Sequence, residues 1–230
     1  MTTSTEQAVT PPRASVRVRP RDAATLVLIR RDGARPQVLM GRRHGGHAFM
    51  PNRWVFPGGR LHRADFMVPA HGQLPPQSLA ELAEAAPPAR CRALALTAIR
   101  ETFEETGLML ARPSAVCRSK GVWRDFLGAG ALPDLSGLQY IARAITPPGR
   151  SRRFDTRFFL ADAAGLLSLE PSDGCGELQE VAWLDVAEAL QMADVPTPTR
   201  WILGEVESRL DMSTQRHAFV RYRKIDRHNG

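Results

Sequence analysis

Apolar and polar positions alternate over short stretches along the chain rather than in long continuous blocks. Residues 22–31 (DAATLVLIRR) are rich in Leu, Val and Ile and predict a buried strand; 36–42 (PQVLMGR) predict its return across the Asp32-Gly33 turn. Trp54-Val55-Phe56 is a short apolar strand running into Pro57-Gly58-Gly59, and a glycine pair there lets the backbone turn sharply or approach a ligand closely. Between them, Arg42, Arg43, His44 and His47 fall in a glycine-containing loop. Residues 88–106 predict a long helix, with Leu96, Ile99 and Phe103 at helical spacing on its core face. Strands are predicted at 138–145, 155–161 and 178–184, with a short helix at 122–127. A helix at 186–192 carries Asp185 at its N-cap, another spans about 199–210, and 217–225 reads as an edge strand. Strands and helices mix without regular βαβ alternation, which favours an α+β fold or mixed-sheet sandwich over a doubly wound one.

One stretch breaks the pattern. Residues 66–89 hold Pro69, Pro75, Pro76, Pro87 and Pro88 around a weak helical patch at 79–86, and read as a surface insertion within a single domain, 21–230. Residues 1–20, rich in Ser, Thr, Pro and Arg, read as a disordered tail. Composition supplies a real core, with 43% hydrophobic residues, but no apolar run approaches the ~18 residues needed to span a membrane. Cys91, Cys117 and Cys175 are odd in number and lack a C-x-x-C spacing, as expected of a reduced, cytoplasmic chain without a zinc site. The net charge of +7 suits anionic ligands such as phosphates or nucleotides, and equally suits plain solubility.

The chemistry concentrates in Arg100–Leu108, R-E-T-F-E-E-T-G-L. Glu101, Glu104 and Glu105 lie at i, i+3 and i+4 and share one helix face, where their mutual repulsion costs stability. A divalent cation among them would reverse that cost. Gly107 reads as the left-handed stop residue of the helix. Two plainer readings stand beside this one: a solvated acidic face, and for Arg100 with Glu104 an ordinary i, i+4 ion pair.

Arg100-Glu101-x-x-Glu104-Glu105-x-Gly107-Leu108 resembles the second half of the Nudix box, G-x5-E-x7-R-E-U-x-E-E-x-G-U with U bulky and apolar, although Thr102 occupies a U position. Gly59 and Asp65 resemble its first half, with Asp for the usual Glu. Thirty-four residues separate Asp65 from Arg100, 27 more than the family spacing, and the proline-rich insertion accounts for them. A split box, together with stretches like residues 49–59 and 152–161, is similar to the coenzyme A and acyl-coenzyme A diphosphatase branch of the Nudix hydrolases. The separate R-x3-G-x3-F-P-G-G signature of other coenzyme A hydrolases is not met, since Ala48 and Asn52 stand at its Arg and Gly places.

The resemblance implies an α/β/α sandwich around a mixed sheet and hydrolysis of a nucleoside diphosphate linked to another group. It implies Mg²⁺ or Mn²⁺ held by Glu101, Glu104 and Glu105, one of which can also serve as base, with Arg100 orienting a box carboxylate. A distal carboxylate often completes such sites; Glu177 is preferred over Glu180, which falls inside a predicted strand. Asp65 either replaces the usual Glu or only supports the loop. Gly58 and Gly59 shape the turn, and Arg42, Arg60 and Arg157 are candidates for substrate phosphates, each alternatively a surface arginine. The expected partner is a small-molecule nucleotide, with neither a membrane nor nucleic acid. The family often forms homodimers, but no residue of this chain marks an interface. An RNA-end hydrolase and a non-catalytic nucleotide-binding regulator are the competing functions.

Overall fold

The computed structural model describes residues 18–46, 50–116, 119–172, 174–211 and 220–221. In chain order the strands are β1 (Arg21–Arg30), β2 (Gln37–Arg43), β3 (Trp54–Val55), β4 (Gly58–Arg60), β5 (Ala111–Pro113), β6 (Ala131–Pro133), β7 (Gln139–Ile145), β8 (Phe154–Asp162), β9 (Leu178–Asp185) and β10 (Val220–Arg221). The helices are α1 (Pro76–Ala83), α2 (Pro88–Thr106), α3 (Arg124–Gly128), α4 (Val186–Gln191) and α5 (Thr197–Asp211).

The Leu/Val/Ile-rich β1 is the spine of a mixed sheet. It runs parallel to β8 on one edge; on the other it pairs antiparallel with β2 near its end and with β4 near its start. β7 extends the sheet beyond β8, and β3 and β9 extend it beyond β2. Because β1 is buried on both faces, it is nearly continuous in apolar residues, as a central strand must be. Ala24, Leu26 and Leu28 face α2, together with Leu39, Phe159 and Ala161. Val27 and Ile29 face α4 and α5, together with Val38, Met40 and Leu160. The period-2 alternation of the strands thus divides one sheet between two cores, giving the α/β/α sandwich and mixed sheet expected.

Helix α2 follows its predicted bounds. Pro88 opens it, where a missing N–H costs nothing, and Gly107 closes it with φ 72°, its N–H donating to the Phe103 carbonyl at 2.8 Å. Asp185 caps α4, accepting from the backbone N–H groups of Ala187 and Glu188. Among the described residues, no helix is long and apolar enough to cross a membrane.

Three expectations change, and one strand pair has no counterpart among the predicted elements. The insertion is not only surface: Val68, Leu74, Leu82 and Ala86 are buried in the same core as Leu94 and Ile99. Its helix starts earlier than predicted, at Pro76, because proline is favoured at the first helical position. Strand β2 runs one residue past its predicted end at Arg42, so Arg43 lies on the strand and not in the loop. The β5–β6 pair is too short and proline-containing to show a strand signal. Residues 1–17, His47 and Cys117 lie outside the described residues, as does the 217–225 strand apart from Val220–Arg221, which pair with β7.

Leu82 is 2% exposed. Leu82→Ala should therefore cost about 2–5 kcal/mol in urea denaturation, the range for a core leucine; a loss near zero would return the insertion to the surface.

Candidate active site

The last two turns of α2 carry the acidic face, and their geometry is set by Arg100. The Arg100 side chain is only 4% exposed and its guanidinium is fully engaged. Its Nε and Nη2 donate to Asp65 at 2.9 and 3.2 Å, Nη2 donates to the Arg60 carbonyl at 3.0 Å, and Nη1 donates to Glu104 Oε2 at 2.9 Å. Nη2 also lies 2.8 Å from Glu101 Oε1. The i, i+4 pair with Glu104 is thus present, but as one part of a larger fan.

Asp65 is the buried end of that fan, at 0% exposure. Besides Arg100, it accepts from Trp123 Nε1 at 2.9 Å, Thr97 Oγ1 at 2.8 Å and the His62 backbone N–H at 2.9 Å. Five donor contacts on one carboxylate leave no oxygen for a cation, so Asp65 supports the site without joining it. The His62 imidazole in turn accepts from Ala64 N, capping the 3-10 turn Arg63–Phe66 that presents Asp65.

The glycines of β4 bring the sheet against the acids. A Cβ on Gly59 would collide with the Glu101 carboxylate, and one on Gly58 would lie 2.6 Å from the Ala24 carbonyl. Only glycine allows this approach. The Gly58 N–H donates to Glu105 Oε2 at 3.2 Å.

A fourth carboxylate arrives on the loop before β9. That loop docks onto the open C-terminal carbonyls of α2: Ser172 N donates to Thr106 O at 2.9 Å and Cys175 N to Glu104 O at 2.7 Å. Gly174 lies so close to the helix end that a Cβ there would come within 2.6 Å of the Glu104 carbonyl. The loop delivers Glu177, whose negative charge acts on Glu101, Glu104 and Glu105. Glu180 pairs in register with Arg42, and Arg42 pairs with Trp54, a member of the core on the α5 side. Glu180 is therefore on the far face of the sheet.

The candidate arginines separate in the same way. Arg42 lies on the α5 face, with its Nε buried and without a hydrogen-bond partner. Its neighbour Arg43, given no role from the sequence, is the cation that acts on Glu105. Arg42 and Arg43 are neighbours on β2, so strand alternation alone puts them on opposite faces; which face holds the acids is set by the fold. Arg60 is exposed, and alternation from Gly59 turns its side chain away from Glu101. Arg157 is 3% exposed and neutralised by Asp22 at 2.7 Å and Asp155 at 3.2 Å, a structural role. Trp123 and Thr97 were also missed, since neither belongs to a motif.

The acids are under electrostatic tension. Burial, reinforced by Glu104 and Glu177 and opposed by Arg100, pushes Glu101 up to about 7. Burial, with Glu101 and Glu177 added, pushes Glu105 up to about 8 against the pull of Arg43 and the Gly58 N–H. Glu104 is raised too, chiefly by burial. Among the described residues, no three His, Cys, Asp or Glu side chains are arranged as they stand to hold a metal ion. The donor set nevertheless suits a hard divalent cation: oxygen ligands only, crowded, and destabilised as anions in its absence.

No protein-family model matches the chain. Its sequence is 29% identical to the acyl-coenzyme A diphosphatase NUDT19 of Gallus gallus, covering 67% of this chain and 55% of that protein. It is 27% identical to the putative nudix hydrolase 7 of Caenorhabditis elegans, covering 75% of this chain and 54% of that one. The chain thus spans about half the length of the curated relatives it matches. The crystal structure of a NUDIX hydrolase from Alicyclobacillus acidocaldarius superposes with a TM-score of 0.67 at 32% identity, covering 85% of this chain and 96% of that one. The NUDIX domain of Shewanella oneidensis NrtR, solved with ADP ribose, shares the fold with a TM-score of 0.51 at 14% identity, covering 84% and 90%.

The raised carboxylates set a pH dependence. Glu105 favours its proton in the folded state, so the stability this contributes is present below the ordinary value of 4.5 and is lost as pH rises through about 8. In chelator, Glu105→Gln should melt close to wild type at pH 5 and several degrees above it at pH 9. A constant difference across that range would contradict the tension ascribed to Glu105.

Proposed function

The chain belongs to the Nudix hydrolase family, and on that premise we propose that it is a Mg²⁺- or Mn²⁺-dependent pyrophosphohydrolase acting on coenzyme A, an acyl-coenzyme A or a related nucleotide conjugate. The observation that carries this reading is the reunion of a divided motif. Gly59 abuts Glu101 and Asp65 grips Arg100, although 34 residues separate Asp65 from Arg100 in sequence.

Glu101, Glu104, Glu105 and Glu177 would hold the cation. When bound, it would neutralise the crowded diphosphate oxygens and lower the pKa of a coordinated water. The chain's own residues supply the rest. Arg100 holds Glu101 and Glu104 in fixed rotamers, so little reorganisation remains for the reaction itself. The Gly58 N–H fixes Glu105, and the docked loop carries Glu177 to the same place. Glu104, at 29% exposure the most accessible of the three helix acids, is the base assigned to the attacking water. Its proton passes to Glu104, oxygen attacks phosphorus, and the anhydride P–O bond breaks to release two phosphorylated products. The coenzyme A preference rests on the split box and on the similarity to the acyl-coenzyme A diphosphatase.

A product-release screen over coenzyme A, acyl-coenzyme A, ADP-ribose, NADH and dinucleoside polyphosphates, with Mg²⁺ and with Mn²⁺, tests the reading. Turnover should be greatest on the coenzyme A compounds, and Glu104→Gln should lower it by about a hundredfold or more while the melting temperature holds. Binding across the panel without turnover would instead identify a nucleotide-binding regulator.

A further inference from the structure

The segment after the catalytic helix contacts it in two distinct ways. The Phe126 ring of α3 meets Phe103 of α2 edge-to-face, with centroids 5.2 Å apart, and Trp123 meets Phe126 at 5.3 Å. These are packing contacts and belong to the core. The second contact is polar and directional: the Trp123 indole N–H donates to Asp65 Oδ1 at 2.9 Å, the same oxygen that accepts from Arg100 Nε. Trp123 is 1% exposed and Asp65 0%, so neither group can exchange its partner for water. Asp65 lies on a short 3-10 turn and needs outside support to hold one orientation. Its Oδ2 is held by Thr97, the His62 backbone N–H and Arg100 Nη2; Oδ1 is held by Arg100 Nε and Trp123.

From this geometry we infer that Trp123, outside the divided motif, is a positioning residue for the catalytic carboxylates, acting through Asp65 and Arg100 on Glu101 and Glu104. The inference rests on the proposed metal-dependent function. Without the indole N–H, Oδ1 is left to Arg100 Nε alone, the carboxylate and the Arg100 fork shift together, and the separation of the two glutamates relaxes. The cation should then bind more weakly even though the fold persists, as happens when outer partners of metal ligands are removed.

Mn²⁺ titration followed by electron paramagnetic resonance, together with melting of the metal-free protein, provides the test. Trp123→Phe keeps an aromatic ring against Phe126 and removes the donor. It should raise the Mn²⁺ dissociation constant by about tenfold, and lower kcat at limiting metal with KM for the nucleotide conjugate unchanged. In an Asp65→Asn background the same substitution should add little, because its route is already cut. If Asp65→Asn does not fold, Thr97→Val, which removes a second Asp65 donor with little change in volume, should reproduce the loss of Mn²⁺ affinity. A lower melting temperature with unaltered Mn²⁺ affinity would reduce Trp123 to a packing residue and overturn the inference. Failure of the wild-type protein to bind Mn²⁺ would overturn the metal-dependent function itself.

Discussion

The buried ion pair between Asp65 and Arg100 is the constraint on which the site depends. It joins the turn that precedes the insertion to the acidic helix α2, at full burial on the Asp65 side. Removing one partner of such a pair typically costs about 3–5 kcal/mol, because the other is left charged and unsolvated. Here the cost of taking both charges out of water is offset by additional hydrogen bonds. Trp123, Thr97 and the His62 N–H saturate the carboxylate, and the Arg60 carbonyl, Glu101 and Glu104 saturate the guanidinium. The same bonds that make the pair tolerable also hold two of the helix acids, Glu101 and Glu104. Stability and orientation are therefore properties of one network.

The acids themselves work against the fold. Burial places them close to one another, and their proton affinities rise to about 7 for Glu101 and about 8 for Glu105. A protein optimised only for stability would put neutral groups here. Arg100, Arg43 and the Gly58 N–H reduce the tension without removing it. The loop carrying Glu177 fits the same account: it covers helix-end carbonyls that would otherwise lack donors, and in doing so brings a fourth negative charge to the cluster.

The insertion is also more than a spacer. It divides the motif in sequence, yet it returns through the core with Leu74, Leu82 and Ala86 buried, and Ser78 Oγ accepts from the Tyr140 backbone N–H at 2.9 Å. Arg92 at the start of α2 donates to the Val68 carbonyl at 2.7 Å. The chain leaving Asp65 is thus tied to both α2 and the sheet before the helix begins. This lets 34 intervening residues preserve a contact that a tight loop would otherwise hold.

Much of this was legible in the residues themselves. The bounds of α2, its Gly107 stop, the acidic face and the Asp185 cap all follow from local rules of spacing and capping that need no distant partner. The double-sided burial of β1 is visible in its apolar run. What the chain could not declare by itself were the relations set by register and packing. Whether an arginine faces the acids depends on strand parity, and only the packing of β2 between the two cores decides that Arg43, and not Arg42, is on their side. Arg157 looks like a phosphate ligand until Asp22, 135 positions away, neutralises it. Trp123 reaches Asp65 across 58 positions, and Glu177 nears the helix acids because a loop happens to complete the helix end. Local patterns specify elements and the chemistry they carry; only the tertiary structure decides which side chains share a low-dielectric space, and there burial and neighbouring charge determine what each one does.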